Sequence, residues 1–236
     1  MQQINKHINT PQNNTNQNLN NKKILALFDF CETLVDFQSA ARYLELVAQK
    51  KTRHKLHNLY TKISNKSKNI LRKFIHLPPK QQVRYEVLKG LSVSDAQCIA
   101  KEFVTNELLP RVNPKVIERL QYHQRNKHTI VIVSGGFEIY IKLFAQHFGI
   151  THVVAVALEE CNGYLSGNID GIHTMEHRKL YKLIECINVS EFDLQKSYAY
   201  SDCSSDIPLL SFVGHGIVIE CGKDTQWANI LGFEIL

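Results

Sequence analysis

No stretch of this chain approaches the roughly 18 consecutive apolar residues that a membrane-spanning helix needs. Its 236 residues are therefore expected to fold in water. The six cysteines, Cys31, Cys98, Cys161, Cys186, Cys203 and Cys221, stand singly, with no C-x-x-C pair and no metal-finger spacing. That absence argues against a zinc finger and for reduced thiols in a cytoplasmic protein. The eleven histidines lack a ligand-like H-x-x-x-H beside an acid, which leaves a zinc enzyme without support. Acidic residues are missing altogether between Leu46 and Tyr85, where Lys and Arg number eleven. The net charge of +6 thus belongs to one region, and the rest of the chain is at about −5, from 17 basic and 22 acidic residues.

The first 21 residues, MQQINKHINTPQNNTNQNLNN, are dominated by Asn and Gln and hold almost nothing that could enter a core. They also lack the apolar block of a secretory signal and the arginines of a transit peptide. They are expected to be a disordered tail. With 44% hydrophobic residues, the chain suits one domain, or one domain with an insertion.

What is present is a series of short apolar runs. KKILALFDF and HTIVIVSGG (128–136) read as buried strands, and HVVAVAL (152–158), SYAYSD (197–202) and GIVIE (216–220) complete a set of five. Apolar on both faces, such strands suit a parallel sheet covered on both sides. Helical patterns lie between them: NPKVIERLQYHQRN, which opens on the capping Asn113 and Pro114, then FEIYIKLFAQHF, MEHRKLYKLIECI and SDIPLLSFV. NGYLSGNIDG has the turn residues of a small β-hairpin. From about Phe37 to Pro110 the alternation breaks into helices without a strand, including SAARYLELVAQK and VSDAQCIAKEFVTNELL. The expected fold is α/β, a doubly wound Rossmann-like parallel sheet with a helical cap inserted after the first strand. Its layout is a tail (1–21), a core (22–36 and 111–236) and a cap (37–110).

Ligands of open α/β sheets bind at the carboxyl ends of the strands, and three of these runs end in Asp29, Ser134 and Asp202. Each has an ordinary reading: a strand-ending acid, a turn into a helix, and, with SDCSSD (201–206), a helix N-cap cluster. Lys179 by itself is as easily a solvated helix lysine. Together they define a site. Asp29 and Asp202, with Asp206 nearby, can hold one Mg²⁺ through hard oxygens, while Ser134, the Gly135 amide and Lys179 surround a phosphoryl group. An aspartate beside a metal can attack phosphorus as a covalent nucleophile.

The order DxxxTL, SGG, K, SDxxSD resembles the haloacid dehalogenase superfamily, and in particular its phosphoserine-phosphatase-like branch, across about residues 23 to 222. FDFCETL, VIVSGGFEIYI, HRKLYKL and YSDCSSDIPLL carry the likeness. The resemblance implies an Mg²⁺-dependent phosphatase working through an aspartyl-phosphate on Asp29. It implies that the backbone carbonyl of Cys31 helps bind Mg²⁺ and that Ser134 and Gly135 bind phosphate. Lys179 would steady the nucleophile and the transferring group, Asp202 would ligate the metal, and Asp206 would ligate it or orient its water.

The chain departs from that pattern at three places. Where the family has a second aspartate to protonate the leaving alcohol and later activate water, this chain has Cys31, roughly four pKa units weaker as an acid. Glu32 stands where the family usually has Gly, either as a substitute acid-base or in a structural role at the rim. Gln38 replaces the glutamate with which phosphoserine phosphatases hold the substrate ammonium, although Arg84, in RYEVLKGL, matches their carboxylate-binding arginine. A small anionic phosphate ester is therefore expected as partner, with phosphoserine itself in doubt. The alternatives are a weakened phospho-ligand binding protein, or a polyanion-binding module using the basic cap. That cap lacks a recognised reader motif, so nucleic acid is not the expected partner, and the oligomeric state is left open. Cys203 beside Asp202 is expected to be a reduced thiol rather than half of a redox pair with Cys31.

Overall fold

A computed structural model describes residues 22–62 and 85–236. The expected tail, Arg84 and the basic residues from Lys66 to Lys80 lie outside the described residues. Among the described residues one sheet is formed by β1 (Leu25–Phe28), β2 (Thr129–Phe137), β3 (His152–Cys161), β4 (Tyr164–Asp170), β5 (Tyr198–Ser201), β6 (His215–Val218) and β7 (Glu234–Ile235). The spatial order is β4-β3-β2-β1-β5-β6-β7. All neighbours are parallel except β3 and β4. From β1 the chain winds outward through β2 and β3, then returns to the other side of β1 for β5, β6 and β7. β1 therefore lies at the point where strand order reverses, which is where a doubly wound sheet opens a crevice.

The five expected strands are all present, and the expected hairpin is larger than its turn residues suggest. β3 runs on to Cys161, turns through Asn162 and Gly163, both at positive φ (52° and 80°), and returns as β4 along the edge of the main sheet. A two-residue turn with both φ positive matches the twist of the strands it joins. β7, only two residues long, has no periodicity and was not expected; it is held by parallel pairing to β6.

Alternate side chains of the central strands enter opposite layers. Ala26, Phe28, Ile130 and Ile132 join one buried cluster, and Leu25, Leu27, Val131 and Val133 the other. The first layer takes α1 (Ser39–Lys62), α2 (Val93–Phe103), α3 (Pro114–Arg125) and α4 (Glu138–His147), through residues such as Tyr43, Phe103, Leu120 and Phe144. The second takes α5 (Arg178–Cys186), α6 (Ile207–Leu210) and α7 (Gln226–Leu231), through Leu183, Leu209, Leu210 and Ala228. Burying each such Leu or Phe contributes about 1.5–3 kcal/mol, so the ends of β1 and β2 are rigidly placed.

The helical segment after β1 is built on the same core. Tyr43 and Val47 of α1 and Ala96, Ile99 and Phe103 of α2 share one apolar cluster with Phe28 and Tyr140. The Tyr43 hydroxyl donates to the Ala96 carbonyl at 2.9 Å, and Arg42 grips Glu107 through two bonds of 2.7 and 2.9 Å. Ser92 caps α2 by accepting from the Asp95 amide, and Asn113 caps α3 ahead of Pro114, as expected. No helix among the described residues is long and apolar enough to cross a membrane.

Candidate active site

β1 delivers Asp29 to the edge of the sheet, where its amide donates to the Tyr200 carbonyl of β5 at 2.9 Å. β5 ends one residue before Asp202, and the turn Ser204–Asp206 brings Asp206 back beside it. Lys179, in the first turn of α5, closes the group. Its ammonium donates to Asp29 Oδ1 at 2.6 Å and to Asp206 Oδ2 at 2.5 Å, while Ser201 Oγ also donates to Asp206 Oδ2 at 2.6 Å. All these side chains are buried. Burial pushes the Asp29 carboxyl up, Lys179 pulls it back, and Asp206 and Asp202 push it up again, to about 7. For Lys179 burial acts downward, but Asp29 and Asp206 outweigh it and hold the ammonium above its ordinary value.

Beyond Asp29 lies a cavity of about 360 Å³, lined on the core side by Ser134, Gly135, Gly136, Lys179 and Asp206. The Gly136 amide donates to Ser134 Oγ at 2.9 Å near the end of β2, where the pairing to β3 shifts register between Val133 and Phe137. Gly135 is closely packed: a Cβ there would lie 3.0 Å from Met175 Cγ and 3.1 Å from the Thr174 carbonyl, so either neighbour would have to give way by a few tenths of an ångström. The helical segment walls the other side with Gln38, Ala40, Ala41, Leu44 and Tyr85. Tyr85 meets His173 of the core across the cavity, its hydroxyl 2.8 Å from Nε2.

The two unusual residues of the first loop have definite partners. Cys31 Sγ lies 3.1 Å from Ser39 Oγ, which lies 2.8 Å from the buried Tyr140 hydroxyl. Burial, and then the charge of Asp29, push the Cys31 thiol up to about 11, so it stays protonated at neutral pH. Glu32 adopts φ 55°, the left-handed region that glycine occupies without strain. Its carboxylate accepts from Gln38 Nε2 and from Lys223 Nζ, the latter at 2.6 Å. Those bonds outweigh burial and hold Glu32 below the ordinary carboxylate value. Lys223 Nζ also donates to Asp202 Oδ2 at 2.6 Å, and Thr33 Oγ1 donates to Asp202 Oδ1 at 3.3 Å.

Among the described residues no three His, Cys, Asp or Glu side chains close around a common point. The carboxylates are parted instead by Lys179 and Lys223. The donor set still suits one hard cation. When ionised, Asp29, Glu32, Asp202 and Asp206 set four negative charges against two ammonium groups, leaving the charge that one divalent ion cancels. Asp206 Oδ1 is buried with no hydrogen-bond partner among the described residues, an acceptor for a metal or its water.

A family model described as haloacid dehalogenase-like hydrolase matches residues 26–211, from β1 through α6. The chain belongs to the haloacid dehalogenase-like hydrolase family. It is 26% identical over 209 residues to a histidinol-phosphatase of Neisseria meningitidis serogroup C, covering 84% of this chain and 90% of that one. A structure of a protein of unknown function from Bordetella pertussis Tohama I superposes with a TM-score of 0.71 at 19% identity, over 91% of this chain and 98% of that one. A phospho-aspartyl intermediate analogue of phosphoserine phosphatase gives 0.57 at 22% identity, over 91% and 92%. At such identities the two structures speak to the fold alone.

Within this hydrolase the fold gathers Asp29, Cys31, Gln38, Ser134, Gly135, Lys179, Asp202 and Asp206 around one cavity. Arg84 is outside the described residues. Cys31 and Cys203 both line the cavity as free thiols, but each turns to its own serine, Ser39 and Ser205. Lys223 was missed by sequence reasoning: it sits in the polar turn ECGKDTQ, which carries no motif. The Ser39–Tyr140 pair behind Cys31 was missed too, since both residues look like ordinary helix positions.

Proposed function

We propose that this hydrolase cleaves a small anionic phosphate monoester with Mg²⁺, through an aspartyl-phosphate on Asp29. The observation that carries this reading is the buried Lys179 ammonium held between Asp29 and Asp206 on the wall of the cavity that Ser134 and Gly135 also line. The similarity to a histidinol-phosphatase supports the same reaction class. Asp29, the backbone carbonyl of Cys31, Asp202 and Asp206 would hold the metal. Bound Mg²⁺ supplies positive charge that offsets the charge of the phosphoryl oxygens.

An Asp29 carboxylate oxygen attacks phosphorus as the bond to the leaving oxygen breaks. Ser134 Oγ and the Gly135 amide hold the phosphoryl oxygens, and Lys179 neutralises charge as it builds there. Water then attacks the acyl phosphate, releasing inorganic phosphate and restoring Asp29. Cys31 stands at the acid-base position as a neutral thiol. It is able to donate a proton weakly but is not poised to accept one, so alkyl esters should be slow and esters with acidic leaving groups faster. Gln38, turned to Glu32, and the apolar wall of Ala40, Ala41 and Leu44 support a substrate other than phosphoserine. In this proposal residues 37–110 act as the cap that selects the substrate, and the unpaired cysteines fit a cytoplasmic location.

The test is turnover of 4-nitrophenyl phosphate with Mg²⁺, which Asp29→Ala should abolish. The engagement of Cys31 with Ser39 and of Glu32 with Lys223 favours a second reading, a phospho-ligand binding protein with little turnover. Binding of phosphate esters without hydrolysis of any member of a broad panel would establish that reading instead.

A further inference from the structure

Lys223 is bound on two sides, and neither partner is a surface accident. Asp202 is buried at the end of β5, and its Oδ2 takes the Lys223 ammonium at 2.6 Å. Glu32 takes the same ammonium at 2.6 Å from the left-handed backbone region, which glycine adopts far more readily than glutamate. A non-glycine residue persists at such a φ when its surroundings fix it, and here Lys223 and Gln38 both donate to its carboxylate. The loop thus carries strain at the residue that anchors a lysine onto Asp202.

We propose that Glu32 and Lys223 form a counter-cation device that weakens the divalent-cation site, so that metal occupancy is set by competition with the Lys223 ammonium. This inference rests on the proposed assignment of Asp202 as a metal ligand. The ammonium and a divalent cation draw on one carboxylate: both oxygens of Asp202 already accept bonds, from Thr33 and from Lys223. A donated charge-assisted hydrogen bond draws electron density from the ligand, and two like charges on one small group repel. Glu32 makes the competition persistent, because it holds the ammonium at Asp202 where a free lysine side chain would drift into solvent. Lys223 also lines the substrate cavity, so an ammonium displaced by metal remains beside an anionic substrate.

The test is calorimetric titration of the full chain with Mg²⁺ and with Mn²⁺, without substrate. Lys223→Met should tighten binding roughly tenfold, the scale of one charge-assisted bond. Lys196→Met, which removes the same charge from an exposed distant site, should leave affinity unchanged. Glu32→Gly removes a negative charge but also unfastens the competitor, so it should weaken binding more in the Lys223→Met background than in the wild type. That non-additivity is the signature of a coupled pair, since two independent charges would add. Unchanged or weaker binding in Lys223→Met, or equal tightening in Lys196→Met, overturns the inference while leaving the metal site standing. Strict additivity overturns the role of Glu32. Absence of cation binding in every variant removes the metal assignment itself, and the inference with it.

Discussion

At the carboxyl ends of β1 and β5 the protein buries charges, whereas from the starting ends of β2, β5 and β6 up to Phe28 and Tyr200 it packs rings, with His123 buried and His215 exposed. The first group is Asp29, Lys179, Asp206 and Asp202, joined by ionic bonds of 2.5 to 2.6 Å and completed by Lys223. The second is a stack of imidazoles and phenols. His123 Nδ1 lies 2.7 Å from His128 Nδ1, and His123 Nε2 lies 2.9 Å from the Tyr200 hydroxyl. Tyr200 stacks on Phe28 at 4.5 Å, and Tyr198 on His215 at 4.7 Å. Both groups satisfy their polar atoms largely within themselves, but by opposite means. Desolvated ions stabilise a fold poorly compared with apolar packing, so stability alone does not account for the charged end. The ring end keeps its imidazole neutral and serves packing: burial, then His128, push His123 down to about 3.

Lys179→Met breaks the comparison most severely. It leaves Asp29 and Asp206 facing each other without their cation, so turnover should fall roughly 10³-fold. Chemical denaturation at neutral pH should show a loss of about 3 kcal/mol, because the removed partner leaves buried charge unpaired. Cys31→Asp adds a carboxyl to the charged end. If the thiol only attenuates proton transfer, turnover of an alkyl phosphate should rise by about 10²-fold. Turnover of an aryl phosphate, whose leaving group needs little help, should rise less. An equal or falling rate for both would give the thiol a role of its own. The smallest effect belongs to the ring end. Between pH 6.5 and 3 an unfolded imidazole takes up a proton that folded His123 refuses, so stability falls as pH drops through that window. His123→Phe should remove this term and narrow the gap between melting temperatures at pH 7 and pH 5 by a few degrees, read by circular dichroism.

Particular elements show what local pattern carries. β1 was legible because four consecutive apolar residues ending in Asp29 have few other uses, and α3 because Asn113 and Pro114 announce its start. The run SDIPLLSFV was legible only as a helix, whereas it folds as a tight turn over Ser204–Asp206 and a short helix over Ile207–Leu210. β7 was illegible because its two residues gain their conformation from pairing with β6. In the candidate site, Asp29, Ser134 and Asp202 were singled out as strand ends, Lys179 and Asp206 were grouped with them from the sequence, and the family likeness gave each an expected role. Lys223 escaped both routes.

The sequence by itself determined the α/β alternation, the strand ends that carry Asp29, Ser134 and Asp202, and the placing of Cys31 in the loop after β1. These are properties of neighbours along the chain, where side-chain period and spacing act directly. Only the tertiary structure decided that the Cys31 thiol turns to Ser39 and Tyr140, and that Lys223 joins Asp202, 21 residues away, to Glu32, 191 residues away. Those contacts follow from the winding of the sheet, which sets β1 beside β5 and leads the chain after β6 back over both. No local pattern encodes a meeting that depends on how distant segments close upon each other.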